Sequence, residues 1–255
     1  MSLTDVHPSH VVVFGVVGTT EERAATADAI GSTAGHATRI CLRLDCDGIG
    51  ERYPDVVSRV RAAYDRVGSV GAGYDEYCAS EPTDEAVAAL RDLLAIETWH
   101  LAVFVQHVRL EHDGDAFLLY NADHRQFDVD GDAVPAAIES IESALEGITA
   151  GILPAGTRCE WECNGRVYEL SPPSFCVETA CFDLAALRGV DADAETRTIR
   201  LEWDDSRPSN RVLSGLVGLL ERLGPSRPTE LRFDSRESFR EERAGFESVS
   251  SALTS

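Results

Sequence analysis

Two aspartates that stand one residue apart are the best candidates for chemistry, in the stretch RLDCDGIG (residues 43–50). The apolar run Ile40-Cys41-Leu42 before them predicts a buried strand, so both carboxylates would lie at a strand end. One carboxylate can attack an electrophile while the other transfers protons. The pair of Asp45 and Asp47 therefore raises the question of whether Asp45 is a nucleophile.

The segment ICLRLDCDGIG (residues 40–50) resembles the first motif of the haloacid dehalogenase superfamily, a strand followed by Asp-x-Asp-Gly. The resemblance implies a phosphohydrolase in which Asp45 attacks phosphorus and Asp47 transfers protons. It also implies magnesium, held partly by acidic residues after a later strand, for which Asp204 and Asp205 are candidates. The chain departs from that family in having no lysine, which there steadies the phosphoryl group. The alternative, and the favoured one, is a solvated turn after a buried strand.

A second candidate site follows the first predicted strand. The segment FGVVGTT (residues 14–20) is a strand, a glycine and a helix start, which together can offer backbone N–H groups to a phosphate. The candidates for binding a nucleotide or phosphate are therefore Gly15, Gly18 and Thr19. The segment matches neither of the usual glycine-rich fingerprints, so a first turn without a ligand is the alternative.

Calcium and zinc are both disfavoured. Asp128, Asp130 and Asp132 alternate as in a calcium loop, but Ala133 stands where the sharp bend needs glycine. Cys159 and Cys163 would be about 13 Å apart along a strand, too far for one zinc ion. The cofactor therefore stays open, with magnesium expected only if the phosphohydrolase hypothesis holds.

Charge is the most informative property of the composition. The 255 residues include 44 Asp and Glu against 23 basic residues, all of them arginine, for a formal net charge of -21. Such a surplus repels itself in dilute buffer, whereas molar salt shortens the Debye length to about 3 Å. We therefore predict an acidic protein of a halophilic, archaeal type of host. A nucleic-acid partner is not expected, because no segment forms a basic stripe.

The sequence also predicts where the protein resides. Its apolar runs are far shorter than the roughly 20 residues of a membrane span. No Lys or Arg precedes the first apolar run, which argues against a signal peptide. A cytoplasmic protein with no membrane association is expected. The seven cysteines are an odd number, so free thiols are the default in such a compartment.

The elements that would position these residues begin with a β-α-β pattern. Residues 11–17 and 37–44 are predicted strands around a helix that Thr19 caps, and a parallel pair is expected. A helix beginning at Pro54 follows, and residues 68–82 are predicted to be a loop that could cover a cleft. Thr83 is predicted to cap the next helix.

Two hairpins are predicted from turn signals. Residues 101–111 and 115–120 flank Asp113-Gly114, and residues 158–163 and 166–170 flank Asn164-Gly165. In the second hairpin, Cys159, Trp161 and Cys163 should share the core face and pair with Leu170, Tyr168 and Arg166 across the turn. Single histidines such as His107 are expected at strand surfaces.

The predicted fold class is α/β or α+β, with β-α-β units in both halves, two hairpins, and mixed sheets flanked by helices. An N-terminal α/β domain (1–150) and a C-terminal α+β domain (151–255) would meet at a small, uncharged linker, 147–156. One compact unit is the alternative. A helix capped by Ser209 and a tail helix with an apolar stripe complete the second half.

The favoured functional hypothesis is a non-catalytic regulatory or sensory module that binds a small molecule or a partner protein. The alternatives are the magnesium-dependent phosphohydrolase and a structural or assembly partner. The latter would need an exposed apolar face on the tail helix.

Overall fold

The computed structural model describes residues 6–15, 19–71, 73–124, 126–156, 159–163, 165–204 and 227–254 of the chain. The chain divides into two compact units, one up to residue 155 and one of residues 156–254. The segment predicted as a linker contains Ala150–Pro154, the last strand of the first unit. The helix predicted from Ser209 lies outside the described residues.

The first unit alternates strands and helices. In chain order it contains β1 (His10–Phe14), α1 (Thr20–Thr33), β2 (Arg39–Leu44), α2 (Cys46–Gly50), α3 (Pro54–Ala63), β3 (Asp65–Ser69), β4 (Asp75–Ser80), α4 (Asp84–Leu94), α5 (Thr98–Phe104), β5 (Val105–His112), β6 (Asp115–Asn121), β7 (Gln126–Val129), α6 (Pro135–Ala144) and β8 (Ala150–Pro154).

These strands form one eight-stranded sheet in the order β3-β4-β2-β5-β6-β7-β1-β8, and every pairing in it is antiparallel. The predicted parallel pair of β1 and β2, and with it the predicted mixed sheet, is therefore wrong. The two strands run in the same direction, but β5, β6 and β7 lie between them. Those three strands join one another through short local connections and pair with both neighbours.

Local sequence accounts for the helix starts. The hydroxyl of Thr19 accepts a hydrogen bond from the backbone N–H of Glu22 at 3.0 Å, and Thr83 caps α4 in the same way. Pro54 occupies the first turn of α3, where its missing N–H is not needed. All three predicted starts are confirmed.

Helices pack against one face of this sheet around an aliphatic core. Ile40, Leu42 and Leu44 of β2 meet apolar side chains of α1 and α4, such as Ile30 and Leu90, and all are essentially inaccessible to solvent. Burying large aliphatic side chains in this way is the main favourable contribution to folding.

Two local predictions in this unit are wrong. Residues 68–82 do not form a covering loop, because most of them belong to the antiparallel pair β3 and β4 at the edge of the sheet. Residues 101–104 belong to α5, so the following strand begins only at Val105. The hairpin itself is confirmed, since Asp113 (φ 52°) and Gly114 (φ 96°) both adopt the positive φ of a type I′ turn.

The second unit contains two antiparallel sheets and a long helix. Its elements are β9 (Cys159–Cys163), β10 (Arg166–Ser171), β11 (Ser174–Val177), β12 (Ala180–Asp183), β13 (Leu187–Asp193), β14 (Thr198–Trp203), β15 (Glu230–Arg232) and α7 (Arg236–Thr254). The sheets have the orders β12-β11-β10-β9 and β13-β14-β15. A mixed α and β class is thus present, but β14 and β15 pair antiparallel, not as in a β-α-β unit.

Aromatic side chains fill the core of the second unit. Trp161 lies with ring centroids 5.2 Å from Tyr168, 5.5 Å from Phe233 and 6.3 Å from Phe246. The predicted register of the β9–β10 hairpin is confirmed, because Cys159 pairs with Leu170 and Trp161 with Tyr168.

The tail helix α7 buries its apolar stripe. The stripe consists of Phe239, Phe246, Val249 and Leu253, each 3% exposed or less. The described part of this helix therefore lacks the exposed apolar face that an assembly partner would need. No helix among the described residues is long and apolar enough to cross a membrane.

Candidate functional site

Asp45 is held in place as the N-cap of α2. Its Oδ1 atom accepts hydrogen bonds from the backbone N–H groups of Asp47 at 3.1 Å and Gly48 at 2.9 Å. Two backbone donors on one carboxylate oxygen are the usual arrangement of a cap. The side chain of Asp47 is 99% exposed and contacts Arg61 at 3.4 Å. The two predicted catalytic carboxylates therefore have different surroundings, one structural and one open to solvent.

Asp47 lines a polar groove beside α2, here called the α2 groove. The groove has a volume of about 550 Å³ and is lined by Asp47, Arg61, Tyr64, Asp65, Arg66, Asp75 and Tyr77. These side chains come from α2, from α3 and the residue that follows it, and from β3 and β4. Its size falls within the roughly 300–1,000 Å³ typical of small-molecule sites.

Three polar side chains interact beside the α2 groove. They are the Cys46 thiol, the Tyr77 phenol and the Arg61 guanidinium, of which Tyr77 and Arg61 line the groove. Burial raises the pKa of Cys46 above its usual value, and the contacts with Tyr77 and Arg61 only partly oppose this. The thiol is therefore protonated at neutral pH and is not an activated nucleophile.

The two arginines of the α2 groove differ in how well they are paired. Arg66 donates to Asp75 at 2.7 Å and to Ser69 at 2.8 Å. Hydrogen bonds from Arg66 and Ser69 hold the pKa of Asp75 below its usual value. Among the described residues, Arg61 makes one ion pair, with Asp47 at 3.4 Å. Arg61 is thus the cation better able to accept a ligand's anionic group.

One predicted magnesium ligand, Asp204, lies in the second unit. Asp204 accepts two hydrogen bonds from Arg188, at 2.7 and 3.1 Å, and follows β14. Asp205 lies outside the described residues. Asp204 thus has a guanidinium partner of its own within the second unit, whereas Asp45 and Asp47 belong to the first.

The candidate phosphate-binding turn is described only in part. The backbone N–H of Gly15 donates to Thr149 at 2.7 Å, and the hydroxyl of Thr19 caps α1. Gly18 lies outside the described residues. The Gly15 N–H and the Thr19 hydroxyl therefore already have partners within the protein.

The calcium-like stretch is a turn. Asp130 Oδ1 accepts from the backbone N–H groups of Asp132 and Ala133, both at 3.1 Å. Asp128 lies in β7 with its carboxylate bonded by Gln126, and burial raises its pKa. The Asp130 contacts shape the turn before α6, whereas the contact of Asp128 lies within β7.

The expectation of free thiols throughout is wrong. Cys41 and Cys78 form a disulfide between β2 and β4, and Cys176 and Cys181 form another between β11 and β12. The first pair could not be found from the sequence, because the sequence predicts a loop for the segment that contains Cys78. Cys46, Cys159 and Cys163 take part in neither disulfide.

A charged cluster on the sheet face opposite the helices was also missed. We call it the polar face; it comprises Arg39, Cys41, Arg43, Glu76, Cys78, His107, Arg109 and Glu111, on the neighbouring strands β2, β4 and β5. Charged residues that alternate along a strand usually indicate solvent, yet His107 and Glu111 are each only 5% exposed. The alternation of these residues along β2 and β5 was the signal for the cluster that the sequence contained.

The polar face is incompletely paired. Arg109 contacts Glu111 at 2.7 Å and Glu76 at 3.7 Å. Among the described residues, the buried Nε2 atom of His107 and the Nε atoms of Arg43 and Arg109 have no hydrogen-bond partner. Burial, followed by the nearby charges of Arg43 and Arg109, lowers the pKa of His107 to about 4. This imidazole is neutral at pH 7.

Comparison of the chain with models of protein families, with curated proteins and with solved structures finds no match. The likeness to the haloacid dehalogenase superfamily therefore stays a likeness of one short motif.

Proposed function

We propose that the protein is a non-catalytic regulatory or sensory module whose first unit binds a small anionic molecule in the α2 groove. The observation that carries the proposal is the convergence of Arg61, Tyr77 and Asp47, from three different elements, on one groove of ligand size. A few polar groups on a rigid frame are what fix a small ligand's orientation.

The chemistry of the α2 groove favours binding over catalysis. Asp45 uses one carboxylate oxygen as a cap, and the Cys46 thiol is kept protonated by burial. The phosphohydrolase resemblance needs a lysine near the nucleophile, and the chain has none. A bidentate guanidinium binds carboxylates and phosphates well but does not replace the compact charge of lysine.

The ligand class follows from the charges that line the groove. Arg61 offers a planar fork that matches a carboxylate or phosphate, and within the described part of the chain its one ion pair, with Asp47, is 3.4 Å long. The aspartates around it would reject a molecule with several negative charges. We therefore propose a ligand with one carboxylate or phosphate group and further hydroxyl or amine groups that the aspartates can accept from.

The proposal is tested by thermal unfolding of the full chain in molar KCl with added probes. The probes are inorganic phosphate, acetate, glycine and a nucleoside monophosphate, each over a range of concentrations. A ligand at a hundredfold excess over its dissociation constant stabilises the folded state by about 2.7 kcal/mol. We expect at least one probe to raise the melting temperature of the wild type, and Arg61→Gln to abolish that rise.

Arg59→Gln is the matched control. Arg59 also lies on α3, but it pairs with Asp92 at 2.6 Å and does not line the α2 groove. Its variant should respond to the probe as the wild type does. If no probe stabilises the protein, or if Arg61→Gln responds like Arg59→Gln, the groove is not the binding site.

A further inference from the structure

Three potential metal ligands lie together on the polar face. Cys41 of β2 stands directly opposite Cys78 of β4, and Glu76 precedes Cys78 by two residues on the same side of the strand. The two sulfur atoms and a carboxylate oxygen of Glu76 all lie within 4.8 Å of one another. The antiparallel ladder from Arg39 to Leu44 fixes this arrangement.

The sulfur atoms of Cys41 and Cys78 are joined in the structure. Reduction of that bond takes two electrons and two protons and leaves two thiols on paired strands. With a phosphine as reductant, the phosphine is oxidised to its oxide, whose oxygen comes from water. The backbone hydrogen bonds of β2 and β4 do not depend on the disulfide, so the thiols would stay close together.

We propose that the reduced protein binds one thiophilic divalent cation of the zinc type through Cys41, Cys78 and Glu76. Zinc takes thiolate and carboxylate ligands in a tetrahedral arrangement, and three protein ligands leave the fourth position for water. Binding displaces the two thiol protons into solution. The inference goes beyond the proposed function and does not depend on the α2 groove.

The charges around the three ligands fit such an ion. Two thiolates and a carboxylate carry three negative charges, so a bound divalent cation leaves one negative charge. Arg43 stands directly opposite Glu76, and Arg109 stands directly opposite Cys41. A guanidinium beside this site compensates the remaining charge and donates hydrogen bonds to sulfur or carboxylate oxygen.

Glu76 is free to serve as a ligand. Arg109 has its closer partner in Glu111, at 2.7 Å against 3.7 Å for Glu76. The Glu76 side chain is 22% exposed, whereas Cys41 and Cys78 are 0% and 4% exposed. Glu76 is therefore the most accessible of the three ligands to an ion that arrives from solvent.

The second disulfide provides an internal comparison. Cys176 and Cys181 also stand opposite each other on paired strands. Among the described residues, however, no third ligand accompanies them as Glu76 accompanies Cys78. The Cys176→Ser/Cys181→Ser variant is thus the matched control for Cys41→Ser/Cys78→Ser.

The test is a titration of the phosphine-reduced, metal-free full chain with Cd²⁺ in molar KCl, followed by the ultraviolet thiolate-to-cadmium absorption. We expect one equivalent of tight binding in the wild type and in Cys176→Ser/Cys181→Ser. We expect that binding to be absent from Cys41→Ser/Cys78→Ser and from the unreduced wild type. Glu76→Gln should weaken it by at least about tenfold.

A second measurement covers the case in which the double serine variant fails to fold. The reduced wild type is alkylated with and without Zn²⁺, and each cysteine is quantified by mass spectrometry. Zn²⁺ should slow alkylation of Cys41 and Cys78 at least about tenfold relative to Cys176 and Cys181. Absence of this selective protection, or unchanged Cd²⁺ binding in a folded Cys41→Ser/Cys78→Ser variant, would overturn the proposal.

Discussion

Asp45 is the N-cap of α2, and two substitutions separate this structural role from a catalytic role. Asparagine caps helices as well as aspartate does, whereas alanine cannot accept the N–H groups of Asp47 and Gly48. We expect Asp45→Ala to lower the free energy of unfolding by about 1 kcal/mol and Asp45→Asn to leave it nearly unchanged. Urea unfolding in molar KCl measures both. Equal losses in the two variants would show that the charge matters more than the cap.

The buried His107 should make the stability of the protein depend on pH. Its pKa is about 4 in the folded protein and about 6.5 when unfolded, so below pH 6.5 the unfolded chain takes up the proton first. Stability should therefore fall as the pH drops from about 6.5 to about 4, by up to about 3 kcal/mol, and His107 should contribute no further loss below that.

The measurement for His107 is the free energy of unfolding as a function of pH, compared with His107→Gln. Glutamine keeps a polar side chain but does not titrate, so the difference between the two proteins isolates the imidazole from the carboxylates that titrate nearby. The two curves should diverge between pH 6.5 and 4. Parallel curves across that range would mean that His107 becomes protonated without cost.

In the turn between β5 and β6, the backbone conformation favours glycine at position 114. Gly114 has φ 96°, and a Cβ atom there would meet nothing within 4 Å, so only the backbone conformation opposes a side chain. We expect Gly114→Ala to destabilise the protein by about 1–2 kcal/mol. Gly35 also has open space but lacks a positive φ, so Gly35→Ala should be neutral or slightly stabilising. Thermal unfolding of both variants is the measurement, and similar losses would contradict the conformational argument.

Elements were predictable where the signal is local. The Asp113-Gly114 turn, the caps at Thr19 and Thr83, and the facing pairs of the β9–β10 hairpin all depend on residues a few positions apart. Which strands are neighbours in a sheet is not predictable in this way. A strand, helix, strand pattern is equally compatible with two adjacent strands and with two strands that have three others between them. The pairing of β1 with β8, which is distant in sequence, has no local signature.

The candidate sites were likewise predictable only where the signal is local in the sequence. The position of Asp45 and Asp47 after a buried strand was predictable, because the apolar run and the glycine are adjacent in sequence. Tyr77 and Cys78 were missed because β4 follows the glycine-rich segment 68–73, which is typical of a loop. The α2 groove and the cluster of Cys41, Glu76 and Cys78 both require β4 to be paired in the sheet.

The charge of the whole molecule decides its response to salt. Exposed ion pairs such as Arg59–Asp92 contribute roughly 0–1 kcal/mol each and weaken in salt, but 44 acidic residues face only 23 basic ones. Repulsion among the unmatched carboxylates should therefore exceed the loss of these pairs. The Debye length falls from about 10 Å at 0.1 M to about 3 Å at 1 M. We expect the melting temperature to rise steeply with KCl over this interval and to level off above it.

Screening can be distinguished from a general effect of excluded solutes. Sucrose at matched osmolality favours compact states without screening charge, so it should stabilise the protein much less than KCl does in the steep interval. Lowering the pH toward the sequence pI of about 4.6 should also flatten the KCl dependence, because the net charge that salt screens is then largely titrated away. A melting temperature that ignores KCl at neutral pH, or that rises equally in sucrose, would mean that the acidic surplus does not limit the stability of the fold.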